Sequence, residues 1–318
     1  MFYEMKKTIK AIIRYAVSRA PRGARNVILD ACLDRLHLGE TYLGETYLHL
    51  LPRCKLVEIA ATGDRGVVAS ASTDTMVISE YAMTGTFAET VTEVLKNFFA
   101  AAGGTYIDIG ANIGLMTIPF ARNPLIRCMA FEPDPVNFGF LKRNVARNAP
   151  DSSVELHQIA LYHTRASLAL ALAEGNIGDH RLTINGVPGR RTVEVVALPL
   201  DDFSNRVSGP LAVKIDTQGA EPFIIAGGEQ VLAQADLLVM EFCPYLMHQL
   251  GGDPEIPINL VSRFSRVAVM PGGKSVIPNY EGAAEAAARL RAKLTTALDT
   301  DADYLDVIAV RGKAVDSI

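Results

Sequence analysis

The rhythm of hydrophobic and polar positions changes along this chain. Near the start, Ile9, Ile12, Ile13, Ala16 and Val17 recur at helical spacing with Lys6, Lys10 and Arg14 opposite, predicting a basic amphipathic helix over about 4–19. From Lys55 to Glu80 the pattern alternates in "KLVEIA", "GVVASAS" and "TMVISE", broken at Thr62-Gly63-Asp64 and Thr73-Asp74, which predicts a small antiparallel meander. A helix follows over about 86–102. Its apolar face is Phe87, Val91, Val94, Leu95, Phe98 and Phe99; Thr86 and Glu89 fit a capping box, and Gly103-Gly104 ends it.

Beyond Gly104 strands and helices alternate, the pattern of a parallel α/β sheet. Strands are expected at 105–109, 127–132, 154–161, 193–198, 211–216, 236–242, 266–270 and 306–311, with "SLALALA" at 167–173 as an extra strand or excursion. The unbroken apolar runs "LLVMEF" and "DVIAV" fit strands covered on both faces. Helices are expected after Gly114, after Pro135, around 222–234, around 244–250 and over about 282–298; Pro119 should kink the first of them or cost it one backbone bond. The organisation read from this is an N-terminal helical extension over 1–52, a β-meander and helix over 53–102, and an α/β domain over 103–318 with a variable insertion at 251–305.

Composition narrows the classes. With 318 residues, 49% hydrophobic and 21% charged, the chain can bury a sizeable core. A net charge of -4 offers no general field for nucleic acid, although residues 1–25 carry seven Lys/Arg against Glu4. The basic helix is read first as a surface helix packed on the body, and second as a contact with a membrane surface or an anionic substrate. Cys32, Cys54, Cys128 and Cys243 are scattered without a C-x-x-C and read as buried thiols in a reducing compartment. No apolar run reaches membrane-span length and Arg14 interrupts "AIIRYAV", so a soluble, cytoplasmic protein is expected. The tandem "GETYLGETYL" within 38–50 has too few copies for a solenoid and carries no functional expectation.

The chemistry gathers at the C-terminal ends of the first strands, where open α/β sheets bind ligands. In "YIDIGANIG", Gly110 and Gly114 allow a tight strand-to-helix turn and close backbone approach. Asp108 is an acid in an apolar strand, costly unless paired. Glu132, ending the next strand in "AFEPDP", is placed to accept hydrogen bonds from both hydroxyls of a ribose; Asp134-Pro135 reads as an N-cap followed by proline at the first helical position. A pyrophosphate would want glycine where Asn112 stands, and an in-strand acid is a poor neighbour for it. A ligand with an ammonium and a sulfonium suits the loop better, which points to S-adenosylmethionine.

The blocks D-I-G-A-N-I-G, F-E-P-D-P and K-I-D-x-Q-G-A-E, in that order, resemble the FkbM family of S-adenosylmethionine-dependent methyltransferases over about residues 76–250. The resemblance implies a class I methyltransferase (Rossmann-like) fold, a mostly parallel seven-stranded sheet with helices on both faces, here with an N-terminal helical and small β appendage. It implies methyl transfer to a hydroxyl oxygen of a sugar, glycan or polyketide-type natural product. By resemblance, Asp108, Gly110, Asn112 and Gly114 line the methionine end of the cofactor, Glu132 takes the ribose with Pro133 and Asp134 beside it, and Gln158–Leu161, including Ala160, edges the adenine.

An acceptor hydroxyl needs positioning and somewhere for its proton to go. "VKIDTQGAE" places Asp216 at one strand end and "LLVMEF" places Glu241 at the next. Such a pair either acts as a general base or binds a divalent cation, and metal-free chemistry is the first expectation. Glu221 reads equally as a helix-start charge or a catalytic group. Lys214 shares the strand face of Asp216 and could neutralise it or help bind the acceptor. His180, in "EGNIGDHRL", and His248, in "PYLMHQLGG", are further base candidates. Asp216 ranks first, then Glu241. The face Ala284, Ala287, Leu290, Leu294 and Leu298 reads as packing or as a homo-oligomer interface. The competing readings are a nicotinamide oxidoreductase and a non-catalytic binding protein on a methyltransferase fold.

Overall fold

A computed structural model describes residues 58–295 and 303–312. The expected N-terminal helix, the tandem repeat, Cys32, Cys54 and Leu298 lie outside the described residues. In chain order the elements are β1 (Glu58–Gly63), β2 (Gly66–Ala71), α1 (Val77–Thr84), α2 (Glu89–Phe99), β3 (Gly104–Ile109), α3 (Ile118–Ala121), β4 (Ile126–Phe131) and α4 (Pro135–Asn148). Then come β5 (Glu155–His157), β6 (Ala160–Leu161), β7 (Ala166–Leu172), β8 (Arg181–Thr183), β9 (Arg191–Leu198), β10 (Leu211–Ile215), α5 (Glu221–Ala226) and α6 (Glu229–Gln234). β11 (Leu237–Phe242), α7 (Pro244–Gln249), α8 (Glu255–Val261), β12 (Arg266–Pro271), β13 (Tyr280–Gly282), α9 (Ala283–Leu294) and β14 (Leu305–Val310) follow among the described residues.

The expected mostly parallel sheet is present, and among the described residues it has eight strands in the order β13-β12-β14-β11-β10-β3-β4-β5. Neighbours from β5 to β11 pair in parallel; β14 enters antiparallel between β11 and β12, and the short β13 closes the edge antiparallel to β12. β12 and β13, inside 251–305, are therefore strands of the large sheet. Side chains alternate between two cores, as the pleat requires. Ile107, Ile109, Val213, Ile215, Leu238 and Met240 enter one core with α5 to α9. Tyr106, Ala212, Leu237 and Val239 enter the other with α2 and α3. There Phe99, Tyr106 and Phe120 pack with tilted or edge-on rings.

Four departures from the sequence reading have local causes. "TMVISE" is the helix α1 instead of a third meander strand, because the Asp74 carboxylate accepts the N–H groups of Met76, Val77 and Ile78 and starts a helical turn. α2 begins at Glu89 after Ala88 in a left-handed conformation (φ 45°), and no Thr86 cap forms. Pro119 sits in the first turn of the short α3, where its missing N–H costs nothing, so it starts that helix and does not kink it. The strands expected at 193–198 and 167–173 belong to a separate four-stranded sheet, β6-β9-β7-β8, and the run expected at 154–161 divides at Gln158-Ile159 between the two sheets.

The hairpin β1–β2 and α1 share a core with Ala111, Ile113 and Leu115 of the turn after β3 and with Phe138, Leu141 and Val145 of α4. Arg65, buried in the hairpin, donates to the carbonyls of Leu115 and Phe87 and to Thr92 Oγ1, and pairs with Asp64.

Candidate active site

β3 lies between β4, its successor in the chain, and β10, reached only after the second sheet; the strand order reverses there and the ends of β3, β4 and β10 open into a cleft. One end is a cavity of about 50 Å³ lined by Glu132, Pro133, Ile159, Ala160, Leu161, Leu170, His180 and Leu182. The middle, about 480 Å³, shares Gly110, Asn112, Gly178, Asp216 and Gln218 with that cavity. The far end, about 380 Å³, shares Phe87, Met116, Lys214, Asp216, Glu241 and Tyr304 with the middle. Shared walls make the three one continuous groove.

At the first end, Glu132 Oε2 accepts the Asn112 N–H at 2.9 Å and Oε1 accepts the Asp134 N–H at 2.9 Å. Burial outweighs these bonds and pushes the carboxyl up to about 8. Asn112 adopts φ 52°, and its Nδ2 donates to the Ile177 carbonyl while its buried Oδ1 has no hydrogen-bond partner among the described residues. Asn137 Nδ2 donates to the same carbonyl, and Thr75 holds Gly175 through its N–H and hydroxyl. The segment 174–180 is thereby strapped over the cleft.

Asp134 caps α4, Oδ2 accepting from Val136 and Asn137. Gly110 is required by the sheet: an added Cβ would lie 1.9 Å from the Asp216 carbonyl oxygen, at a φ of +82°. Gly114 lines none of these cavities; it turns toward Leu141 of α4, which an added Cβ would meet at 2.9 Å. His180 Nδ1 accepts the Ala173 N–H, burial lowers the imidazole's pKa, and the ring faces the Glu132 end, away from Glu241. His248 is exposed on α7 and lines none of the three cavities, so the structure separates it from the other candidates.

The opposite end is built on one face of four neighbouring strands. Lys214 is the cross-strand partner of Asp108. Its Nζ lies 3.5 Å from Asp108 Oδ1 and 3.2 Å from Asp216 Oδ2. Burial works against the ammonium, but Asp216 and Asp108 outweigh it and hold it above its ordinary range. Asp108 is fully buried, and the Thr117 hydroxyl donates to it at 2.7 Å. Asp216 stands just past the end of β10. Glu241 is paired across strands with Asp306. Desolvation, then Asp216 and Glu221, push Glu241 well above the carboxylate range, and burial raises Asp306 to about 6. Two carboxyls opposite each other on neighbouring strands cost stability when both are charged.

Sequence reasoning missed Thr117, Gln218, Tyr304 and Asp306. Asp306 carried a readable signal, an acid opening an apolar strand in "YLDVIAV". Tyr304 and Thr117 reach the site through tertiary packing and carried none. Among the described residues no group of three or more His, Cys, Asp or Glu is arranged to hold a metal ion.

Residues 108–252 match the family model for the methyltransferase FkbM domain. The chain is 40% identical over 65 residues to Methyltransferase sdnD of Sordaria araneosa, a stretch covering 20% of this chain and 25% of that one. The match thus spans about a quarter of the length of that curated relative. Among solved structures, an O-methyltransferase from Bacillus cereus in complex with SAH aligns at TM-score 0.38 with 14% identity, over 90% of this chain and 97% of that chain. The O-methyltransferase TomG from Streptomyces achromogenes, in complex with SAM, aligns at TM-score 0.37 with 13% identity, over 73% and 85% of the two chains. The glycine turn, the Glu132 strand end and the Lys214–Glu221 block all fall inside the segment that matches the FkbM methyltransferase domain model.

Proposed function

We propose that the protein is an S-adenosylmethionine-dependent O-methyltransferase acting on a hydroxyl of a sugar, glycan or related natural product. The observation that carries the reading is the continuous groove from Glu132 to Asp216 and Glu241, with the Gly110–Asn112 turn between them. The residues fit the cofactor. Apolar Ile159, Ala160, Leu161 and Leu170 offer a slot for a purine, the free lone pairs of Glu132 accept ribose hydroxyls, and the unpartnered Asn112 Oδ1 is an acceptor for an ammonium.

When bound, S-adenosylmethionine supplies an electrophilic methyl group on a sulfonium. Asp216, placed beside Lys214, orients the acceptor hydroxyl and takes its proton as the oxygen gains its new bond. Lys214 fixes Asp216 and balances the buried Asp108, keeping the floor of the groove rigid. Hydroxyl-bearing Thr84, Thr86, Thr90, Ser275 and Tyr304 at the far end suit a polyhydroxylated acceptor. Calorimetry tests the reading: the protein should bind S-adenosylmethionine and S-adenosylhomocysteine, and Glu132→Ala should weaken both at least tenfold. Absence of binding to the wild-type protein would overturn it.

A further inference from the structure

Gln218 occupies a conformation that its chemistry does not favour. Its φ is 58°, in the left-handed region where a side chain other than Gly, Asn or Asp is uncommon. The loop around it is fastened from below. The buried Glu221 carboxylate accepts the Thr217 N–H and hydroxyl through Oε1, and the Gly219 N–H at 3.0 Å through Oε2. Gly219 itself packs against the Leu246 backbone at φ 110°. Three hydrogen bonds and a close contact thus hold a residue type that the backbone geometry disfavours, a pattern concentrated at working sites.

The reward is at the other end of the side chain. Gln218 Nε2 lies 3.2 Å from Asp216 Oδ1 and 2.9 Å from Glu241 Oε1. An amide NH2 has two hydrogens, and this geometry directs one to each carboxylate. Two carboxylates so close ordinarily share a proton or take up a cation. Here a neutral donor stands between them. We propose that Gln218 is the positioning residue of the acceptor end, its amide bridging Asp216 and Glu241 and taking the place of a shared proton or divalent cation. The inference rests on the reading of those two carboxylates as the acceptor-side pair. Other charged groups face them too: Lys214 and Asp108 from the sheet, Glu221 from α5, and Asp306 with Tyr304 from the β14 end. None of these supplies a neutral NH2 to both.

The bridge explains why the side chain is an amide. Glutamate would set a third carboxylate between two others, and methionine would keep the length but lose both hydrogens. The test uses the full chain with 13C-labelled Asp and Glu carboxyl groups, titrated by NMR. Gln218→Met should raise the midpoint of the Asp216–Glu241 pair by about one pH unit, a tenfold gain in proton affinity. Gln218→Glu should raise it further and create Mn2+ binding, read by calorimetry, at least tenfold tighter than in the wild-type protein. Gln218→Gly removes the backbone strain, so it should shift the midpoint as Met does without lowering the melting temperature; a purely structural role predicts lower thermal stability with an unmoved midpoint. An unchanged midpoint in Gln218→Met, or Mn2+ bound equally by wild type and Gln218→Glu, overturns the proposal. S-adenosylhomocysteine binding, measured on the same samples, reports separately on the methyltransferase reading: its failure in the wild-type protein sinks that reading, whereas the titration still decides the bridge.

Discussion

Glu132 accepts two backbone N–H groups and still keeps its proton to about pH 8. Its folded-state pKa lies above the ordinary 4.5, so the stability contributed by the neutral form is complete below that pH and is lost as pH rises through about 8. On the proposed reading of Glu132 as the ribose acceptor, ligand binding runs the other way, because only the ionised carboxylate accepts from both ribose hydroxyls without competing as a donor. Affinity for S-adenosylmethionine should therefore rise on the order of tenfold between pH 7 and pH 9, and calorimetry at several pH values should show the rise vanish in Glu132→Gln. Gly110 makes a sharper demand. Gly110→Ala would drive a methyl group into the Asp216 carbonyl at a positive φ, costing about 3 kcal/mol; chemical denaturation should show that loss together with weaker cofactor binding. Both residues were legible in the sequence, as a strand-end acid and a turn glycine. What stayed hidden was which neighbour each serves: the glycine accommodates the adjoining strand, and Gly114 serves α4.

At the scale of elements, strands buried on both faces announced themselves. β3, β4, β10 and β11 lie within one residue of their expected bounds, because an unbroken apolar run between polar punctuation has few other solutions. α1 did not announce itself: "TMVISE" satisfies both periods, and the decision rests on three N–H groups captured by Asp74. The second sheet was equally hidden, since pairing β6 with β9 and β9 with β7 depends on contacts remote in sequence. Arg65 is the element-scale fastener. It joins the hairpin to the carbonyl of Phe87 before α2 and to the carbonyl of Leu115 after β3. Arg65→Met would strand those carbonyls and unpair Asp64, at a cost of about 3 kcal/mol. Hydrogen exchange should show faster opening of α2 and of residues 111–117 in that variant.

For the whole molecule, the two ends of the groove should separate genetically. Asp216→Asn should abolish methyl transfer while cofactor binding stays within about threefold of wild type; equal loss of both would move Asp216 into the cofactor's own contacts. Incubating cell extract with methyl-labelled cofactor, with Asp216→Asn as control, should give a labelled small molecule or glycan. Label confined to protein would redirect the acceptor assignment.

The two ends also come from different stretches of chain. The Glu132 end is drawn mainly from residues 109–182, whereas the far end is drawn from 80–91 and 270–306 around Lys214–Asp216 and Glu241, with Asp216 common to both. On the proposed function, donor recognition and acceptor recognition are thus separately heritable. A lineage can rewrite the second set of segments and try new acceptors while the first keeps its ligand, and transplanting 270–306 from a relative should carry acceptor preference with it and leave the donor constant unmoved.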